Sequence, residues 1–452
     1  MTLFSRIKAA SQCSRLARIG AFFLLGAFGG ISALTSTAQA APKGFVTRAG
    51  TQFRLDGRPF FVGGTNIHYL GWGTRAEVDA VLQDAKSMNF NVVRTILHSV
   101  IASPELSKVD PKNSIWNFPS TNDSSNMGMH NTYILYWDST KNDWAWNDST
   151  VNGLGRWDYV IAQAGKRGLK LNIALIDFWQ WAGGTQQINA WWGLKERYTS
   201  FYTDPRTKSL YKKWVSHVLN RKNTITGVRY KDDPTIFAWD LMNEPEIASV
   251  PLAQSWFREM SAWVKSIDPN HLLCTGTEGF YGGQGGSDPE TELALPNIDF
   301  GVWHSYPVYH SIKPEQVIDR IKQHGQTAAR QNKPVIFQEF GYSRTNSDQA
   351  EVYKSWLDAV HRDPNSAGWI AWRLESRVVA PPTRNFPAAE KDPLGGFPAD
   401  NGEGFGFYND GSAVSKTLSQ AAAAMTARNK IGVTNLQRNG RSRRGNAAQS
   451  RP

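Results

Sequence analysis

Cysteine is scarce in this chain, with two in 452 residues. That excludes a disulfide scaffold and any thiolate zinc cluster. Residues 41–427 contain no Pro/Gly/Ser linker and no tandem repeat, so one large domain is expected there. Long apolar spans are missing too. The run Ile19–Leu34 holds five glycines and serines and falls short of the ~20 apolar residues that a membrane span needs. Acidic residues are absent from both ends. Residues 1–40 carry four basic residues and residues 428–452 seven, neither with an acid, and together these equal the whole formal charge of +11. The central segment is therefore balanced, and no nucleic-acid partner is expected for it.

The ends read differently from the body. Arg6, Lys8, Arg15 and Arg18 precede or flank the apolar run, and Ala38-Gln39-Ala40 supplies an A-x-A cleavage pattern, so 1–40 is expected to be a secretion signal cut near Ala40. Export would be extracellular or periplasmic, without stable membrane insertion. Cleavage would remove Cys13 and leave Cys274, which sits in an apolar run and reads as a buried core thiol. Residues 428–452 are rich in Arg, Asn, Gly and Ser and form a basic tail expected to stay unpacked.

What the body does contain is alternation. Eight apolar runs occur at Phe60–Asn66, Val92–Leu97, Leu169–Ile176, Thr235–Met242, Leu272–Glu278, Phe300–Tyr306, Pro334–Phe340 and Gly368–Leu374. Amphipathic segments follow most of them, with only a weak helical signal after the fifth. Strands with little internal alternation, separated by helices, imply parallel βαβ units. Eight in one segment imply an α/β fold of the (β/α)8 TIM-barrel type, a single catalytic domain over 41–427. A doubly wound open sheet would carry a Gly-rich phosphate loop, and Gly63-Gly64-Thr65-Asn66 does not fit that fingerprint.

In a barrel, chemistry sits at the C-terminal strand ends. The fourth run ends in Asn243-Glu244-Pro245, where Pro245 stops the ladder; the seventh ends in Glu339, two residues before Gly341. Two glutamates facing each other across a barrel mouth are what retaining glycoside hydrolysis requires, one protonated and one ionised. Arg94 follows Asn91-Val-Val in the second run, where a buried guanidinium would keep a carboxylate ionised. His304 and Tyr306 end the sixth and Trp372 the eighth, as candidates to bond sugar hydroxyls, hold the nucleophile and floor a sugar ring. All eighteen tryptophans lie in 41–427, many in loops (Trp72, Trp116, Trp137, Trp144, Trp146, Trp179, Trp181, Trp191, Trp192). Loop placement favours sugar stacking over core filling.

Longer stretches agree with this reading: Phe201-Tyr-Thr-Asp-Pro205, Leu219-Asn-Arg-Lys-Asn-Thr-Ile-Thr-Gly227, Tyr230-Lys-Asp-Asp-Pro-Thr-Ile-Phe-Ala-Trp239, Thr275-Gly-Thr-Glu-Gly-Phe280 and Gly183-Gly-Thr-Gln-Gln187. With Asn243-Glu244-Pro245 and Gln338-Glu339-Phe340-Gly341, they resemble glycoside hydrolase family 5, more narrowly its endo-β-1,4-mannanase branch. The resemblance implies Glu244 as acid/base and Glu339 as nucleophile, supported by Arg94, Asn243, His304, Tyr306 and Trp372. It implies no metal and no cofactor. The expected activity is retaining, internal hydrolysis of mannan, glucomannan or galactomannan by a secreted monomer whose partner is the polysaccharide. A β-1,4-glucanase or another β-glycanase of the family is the alternative; a non-catalytic sugar-binding barrel would lack one carboxylate, and both are present. Three positions depart from the branch: Glu246 stands where Arg is frequent, Gln338 where Glu is common, and Arg373 where Gln is common. The segment after Leu374, with Pro381, Pro382 and Arg384, is long for a last barrel loop.

Overall fold

In the computed structural model, which describes residues 42–104, 132–376 and 404–446, every one of the eight runs overlaps a strand of one parallel sheet. The strands are β1 (Val62–Asn66), β2 (Val92–Ile96), β3 (Lys170–Ala174), β4 (Ile236–Asp240), β5 (Leu272–Cys274), β6 (Gly301–Ser305), β7 (Val335–Phe340) and β8 (Ser366–Ala371). Their order is β5-β4-β3-β2-β1-β8-β7-β6. The two end strands are joined by backbone hydrogen bonds: Asp299 N donates to Leu273 O at 2.8 Å and His304 N to Glu278 O at 3.0 Å. The sheet thus closes on itself as the (β/α)8 barrel expected from the alternation.

A principal helix follows each strand: α1 (Arg75–Ser87), α2 (Arg156–Lys166), α3 (Pro205–Asn220), α4 (Val250–Ile267), α5 (Pro289–Leu293), α6 (Gln316–Gln331), α7 (Gln349–Arg362) and α8 (Ala413–Asn446), with shorter helices before α3 and α6. The weakly signalled fifth helix is a five-residue piece. Helix starts are written locally. In α1, Thr74 accepts from Glu77 N while the Glu77 side chain accepts from Thr74 N, a reciprocal cap worth about 1 kcal/mol.

The barrel interior has two layers. The lower is apolar, with Val62, Val92, Phe237, Phe300, Val302, Ile336 and Ile370 packed together. An antiparallel sheet of Val46–Ala49, Gln52–Leu55 and Arg58–Phe60 plugs it from below. Phe53 from that plug meets Phe237 and Phe300 edge-on, at 5.1 and 5.4 Å between ring centroids. The upper layer is polar: Asn66, Arg94, Asn172, Asp240 and Gln338 are all buried and bonded to one another, and the free Cys274 thiol donates to Asp240. Strand register makes this layer, since Asn66, Arg94 and Asn172 are direct partners on β1, β2 and β3.

The body extends beyond its expected end at residue 427. Asn429 accepts a hydrogen bond from Phe61 N at 2.7 Å, and the Arg428 guanidinium lies 3.8 Å from the Phe61 ring centroid. The α8 backbone is helical to Asn446. Gly63 lets α8 dock on β1: a Cβ there would meet the Ala422 backbone at 3.0 Å. The expected signal (1–40), Cys13, Trp116, the Pro381–Arg384 segment and the side chains beyond Asn429 lie outside the described residues. No helix among the described residues is long and apolar enough to cross a membrane.

Candidate active site

Seven residues singled out from sequence meet at the C-terminal mouth of the barrel. Five of them, Asn243, Glu244, Tyr306, Glu339 and Trp372, line one cavity of about 520 Å³, together with His68 and Trp179. Arg94 and His304 lie behind its wall, each bonded to one of the two glutamates.

Glu244 is placed by backbone. Asn243 N donates to Ile176 O and Glu244 N to Gly276 O, both at 2.8 Å, tying the segment after β4 to those after β3 and β5. Glu244 holds φ at 43°, a left-handed conformation that a non-glycine residue keeps only where its surroundings over-determine it. Gly276 has φ at 81°, and a Cβ there would lie 1.9 Å from Met242 O. Only glycine lets the chain pass so close behind Glu244.

The two carboxylates are held by different partners. Glu244 accepts from the Trp179 indole N–H at 2.7 Å and pairs with His304 Nδ1 at 2.5 Å. Glu339 accepts from Arg94 and from the Tyr306 hydroxyl. Side-chain oxygens of both glutamates and a ring nitrogen of His304 all lie within 4.8 Å of one another. These three are also the group, among the described residues, compact enough to hold a metal ion.

Arg94 organises the layer below. Its guanidinium donates to Asp240 and Asn243, each at 2.8 Å, to Asn66 at 3.1 Å, and to Glu339. Burial alone would lower the Arg94 pKa, but Asp240 and Glu339 raise it. Gln338, one of the departures, gains a reason here. Its amide nitrogen donates to Asn172 and Asp240, which turns its oxygen toward His304 Nε2 at 3.2 Å. A glutamate there would set a second buried anion against Asp240.

With the Gln338 oxygen turned to it, Nε2 is the nitrogen that donates, which leaves Nδ1 in its hydrogen bond with Glu244. Burial opposes charge on His304, yet Glu339 and Glu244 raise its pKa. Burial pushes Glu244 up, but the hydrogen bond and charge of His304, with the Trp179 indole, bring it below the usual range. Glu339 is raised, by burial first and by Glu244; His304, Arg94 and Tyr306 only moderate this. The expectation that Arg94 keeps a carboxylate ionised is therefore met in contact but not in net shift.

Trp372 stacks on His68 at 5.0 Å and 15°, and Arg373, another departure, bonds both His68 and Glu375. At the other side of the cavity stand Glu246 and Glu278. Glu278 is pushed up to about 9 by burial and then by Glu244, Glu246 and Glu339, so it presents a neutral acid. His310, lowered to about 4 mainly by burial, accepts from Arg320 on Nδ1 and turns Nε2 toward Glu278.

The loop tryptophans behave differently from expectation. Trp72 and Trp191 are buried, Trp137, Trp144 and Trp192 pack partly against the core, and Trp146 stacks on His217. Among the described side chains of the loop set, which leave out Trp116 and Trp181, only Trp179 lines the cavity. An indole buries so much area that a loop long enough to fold back uses it as packing. Sequence reading also missed Asp240, Asn172, Asn66 and Asp177. Asp240 did leave a signal: a lone charge within an apolar strand must find a partner.

Bond cleavage by a close carboxylate pair at a barrel mouth defines a glycoside hydrolase. The family description "GH family 5 beta-mannosidase-like" matches residues 43–429, and the chain belongs to that family. It is 32% identical over 375 residues to Mannan endo-1,4-beta-mannosidase 1 of Oryza sativa subsp. japonica, covering 73% of this chain and 78% of that protein. It is 29% identical over 379 residues to Mannan endo-1,4-beta-mannosidase A of Podospora anserina, covering 80% and 91%. The endo-1,4-beta-mannanase structure from Rhizomucor miehei superposes with a TM-score of 0.70 at 31% identity, covering 85% of this chain and 99% of that one.

Proposed function

We propose that this protein is a secreted endo-1,4-β-mannanase that retains anomeric configuration. The observation that carries the mechanism is the approach of Glu244 and Glu339 oxygens to within 4.8 Å. Retaining enzymes hold their carboxyl groups about 5–5.5 Å apart, and inverting ones leave about 6.5–9.5 Å for a water. The names of the relatives support β-1,4-linked mannan as the substrate, and glucomannan and galactomannan are included because their backbones carry such mannosidic bonds.

Glu339 attacks the anomeric carbon as the glycosidic C–O bond breaks, and Glu244 protonates the departing oxygen. The proton for Glu244 rests on His304 Nδ1 and moves across their hydrogen bond as substrate displaces water from the carboxylate. Tyr306 and Arg94 hold Glu339 in line. Asn243 offers its remaining amide N–H to a sugar hydroxyl, and Trp372 offers a ring face. In the second half, Glu244 takes a proton from water, whose oxygen displaces Glu339 from the same carbon. Two inversions give net retention.

A panel of pure mannan, glucomannan and soluble cellulose, assayed for reducing ends, checks the substrate. Mannan and glucomannan should be cut at least about tenfold faster than cellulose. Preference for cellulose would move the assignment to β-1,4-glucanase. The secretion reading is checked by intact mass: exported protein should begin at Ala41.

A further inference from the structure

Asp177 lies just after β3, is 2% exposed, and touches neither substrate cavity nor solvent. One of its oxygens, Oδ1, accepts from the Asn243 side-chain amide at 2.9 Å and from Trp179 N at 3.2 Å. The other, Oδ2, meets nothing closer than the His98 ring, 3.6 Å away, among the described residues. These two bonds reach both halves of the catalytic pair. Asn243 turns its oxygen to Arg94, which holds Glu339; Trp179 donates its indole N–H to Glu244.

We propose that Asp177 is a positioning residue for both carboxylates, orienting Asn243 on the Glu339 side and Trp179 on the Glu244 side through a single oxygen. The inference deepens the mechanism above and rests on its assignment of Glu244 and Glu339. Asn243 cannot orient its own amide, because oxygen and nitrogen differ only in the partners they meet. Arg94 requires an oxygen on one side, and Asp177 requires a nitrogen on the other. Trp179 likewise needs its backbone anchored if its indole is to meet Glu244.

Asp177 also adds charge. Burial, then the nearby carboxylates of Glu244 and Glu339, push its carboxyl up to about 7, against the bonds from Asn243 and Trp179. The groups facing it are His98, Asn243, Glu244 and Glu339, with Arg94 beyond Asn243. Burial with Arg94 lowers His98 to about 3, so that ring stays neutral. Ionised Asp177 therefore opposes loss of the proton that His304 holds for Glu244 and extends activity toward higher pH.

The test compares Asp177→Ala and Asp177→Asn with wild type, recording kcat and KM against pH on mannan. Alanine removes the shared acceptor and should cost about 100-fold in kcat with KM within about threefold. Asparagine keeps an acceptor and should restore kcat to within about tenfold of wild type. Without the charge, its basic limb of kcat/KM should move to lower pH. Wild-type kcat in the alanine variant overturns the proposal. So does equal impairment of both variants with an unmoved limb, which is the mark of packing alone. If alanine fails to fold by circular dichroism, the limb of the asparagine variant decides by itself. Wild type inactive on mannan counts against the substrate assignment only, and the comparison then runs on whichever β-glycan it cleaves.

Discussion

Glu339→Ala is expected to lose about 10⁴- to 10⁶-fold in kcat on mannan while KM stays within a few-fold. The carboxylate forms the bond that replaces the glycosidic one, and no neighbour can substitute. Arg94 and Tyr306 point donors at it, His304 serves Glu244, and Asp177 is buried behind Asn243. Truncation also leaves a space beside the anomeric carbon that a small anion can enter. Added azide should attack once, with inversion, and release an α-glycosyl azide. Glu244→Ala should behave oppositely. Its covalent intermediate still forms with a substrate whose leaving group needs no proton, such as a dinitrophenyl glycoside, and azide then gives the β product. Product NMR separates the two. A Glu339→Ala enzyme within twofold of wild type would falsify the assignment of Glu339.

Arg94→Ala should abolish measurable activity and also destabilise the barrel by about 3–5 kcal/mol, the cost of leaving buried charge unpaired. The side chain is fully buried, and its loss strands Asp240 and Glu339 without their counter-charge. Arg94→Lys should recover part of the stability and little of the rate. An ammonium is one point charge with three donors, whereas the guanidinium reaches Asp240, Asn66, Glu339 and Asn243 at once. Adding Asp240→Asn to Arg94→Ala should raise the denaturation midpoint, because one orphaned anion disappears. It should not restore activity, because Glu339 and Asn243 stay unanchored. An unchanged midpoint in Arg94→Ala would show that the network contributes nothing to stability.

Much of the site was legible before any coordinates, for local reasons. Pro245 ends one strand, Gly341 follows another, and each leaves a glutamate at a strand terminus. Placement on strands four and seven then followed from counting. The departures were legible as positions but not as structure. Gln338 makes sense only beside Asp240 and His304, and Arg373 only beside His68 and Glu375. His304 was expected on sugar hydroxyls; the fold sets its Nδ1 against Glu244 and its Nε2 toward Gln338.

By itself the sequence determined the barrel, its eight strands and the two glutamates, because apolar runs and breaker residues act over a few positions along the chain. Tertiary structure alone decided who holds those glutamates. Arg94 meets Asp240 146 residues away and Glu339 245 residues away. Such pairings depend on the register of strands that carry no mark of their neighbours. Tertiary structure likewise decided which of the described tryptophans face the cavity. Burial there depends on what else is present to be covered, and no local pattern records that.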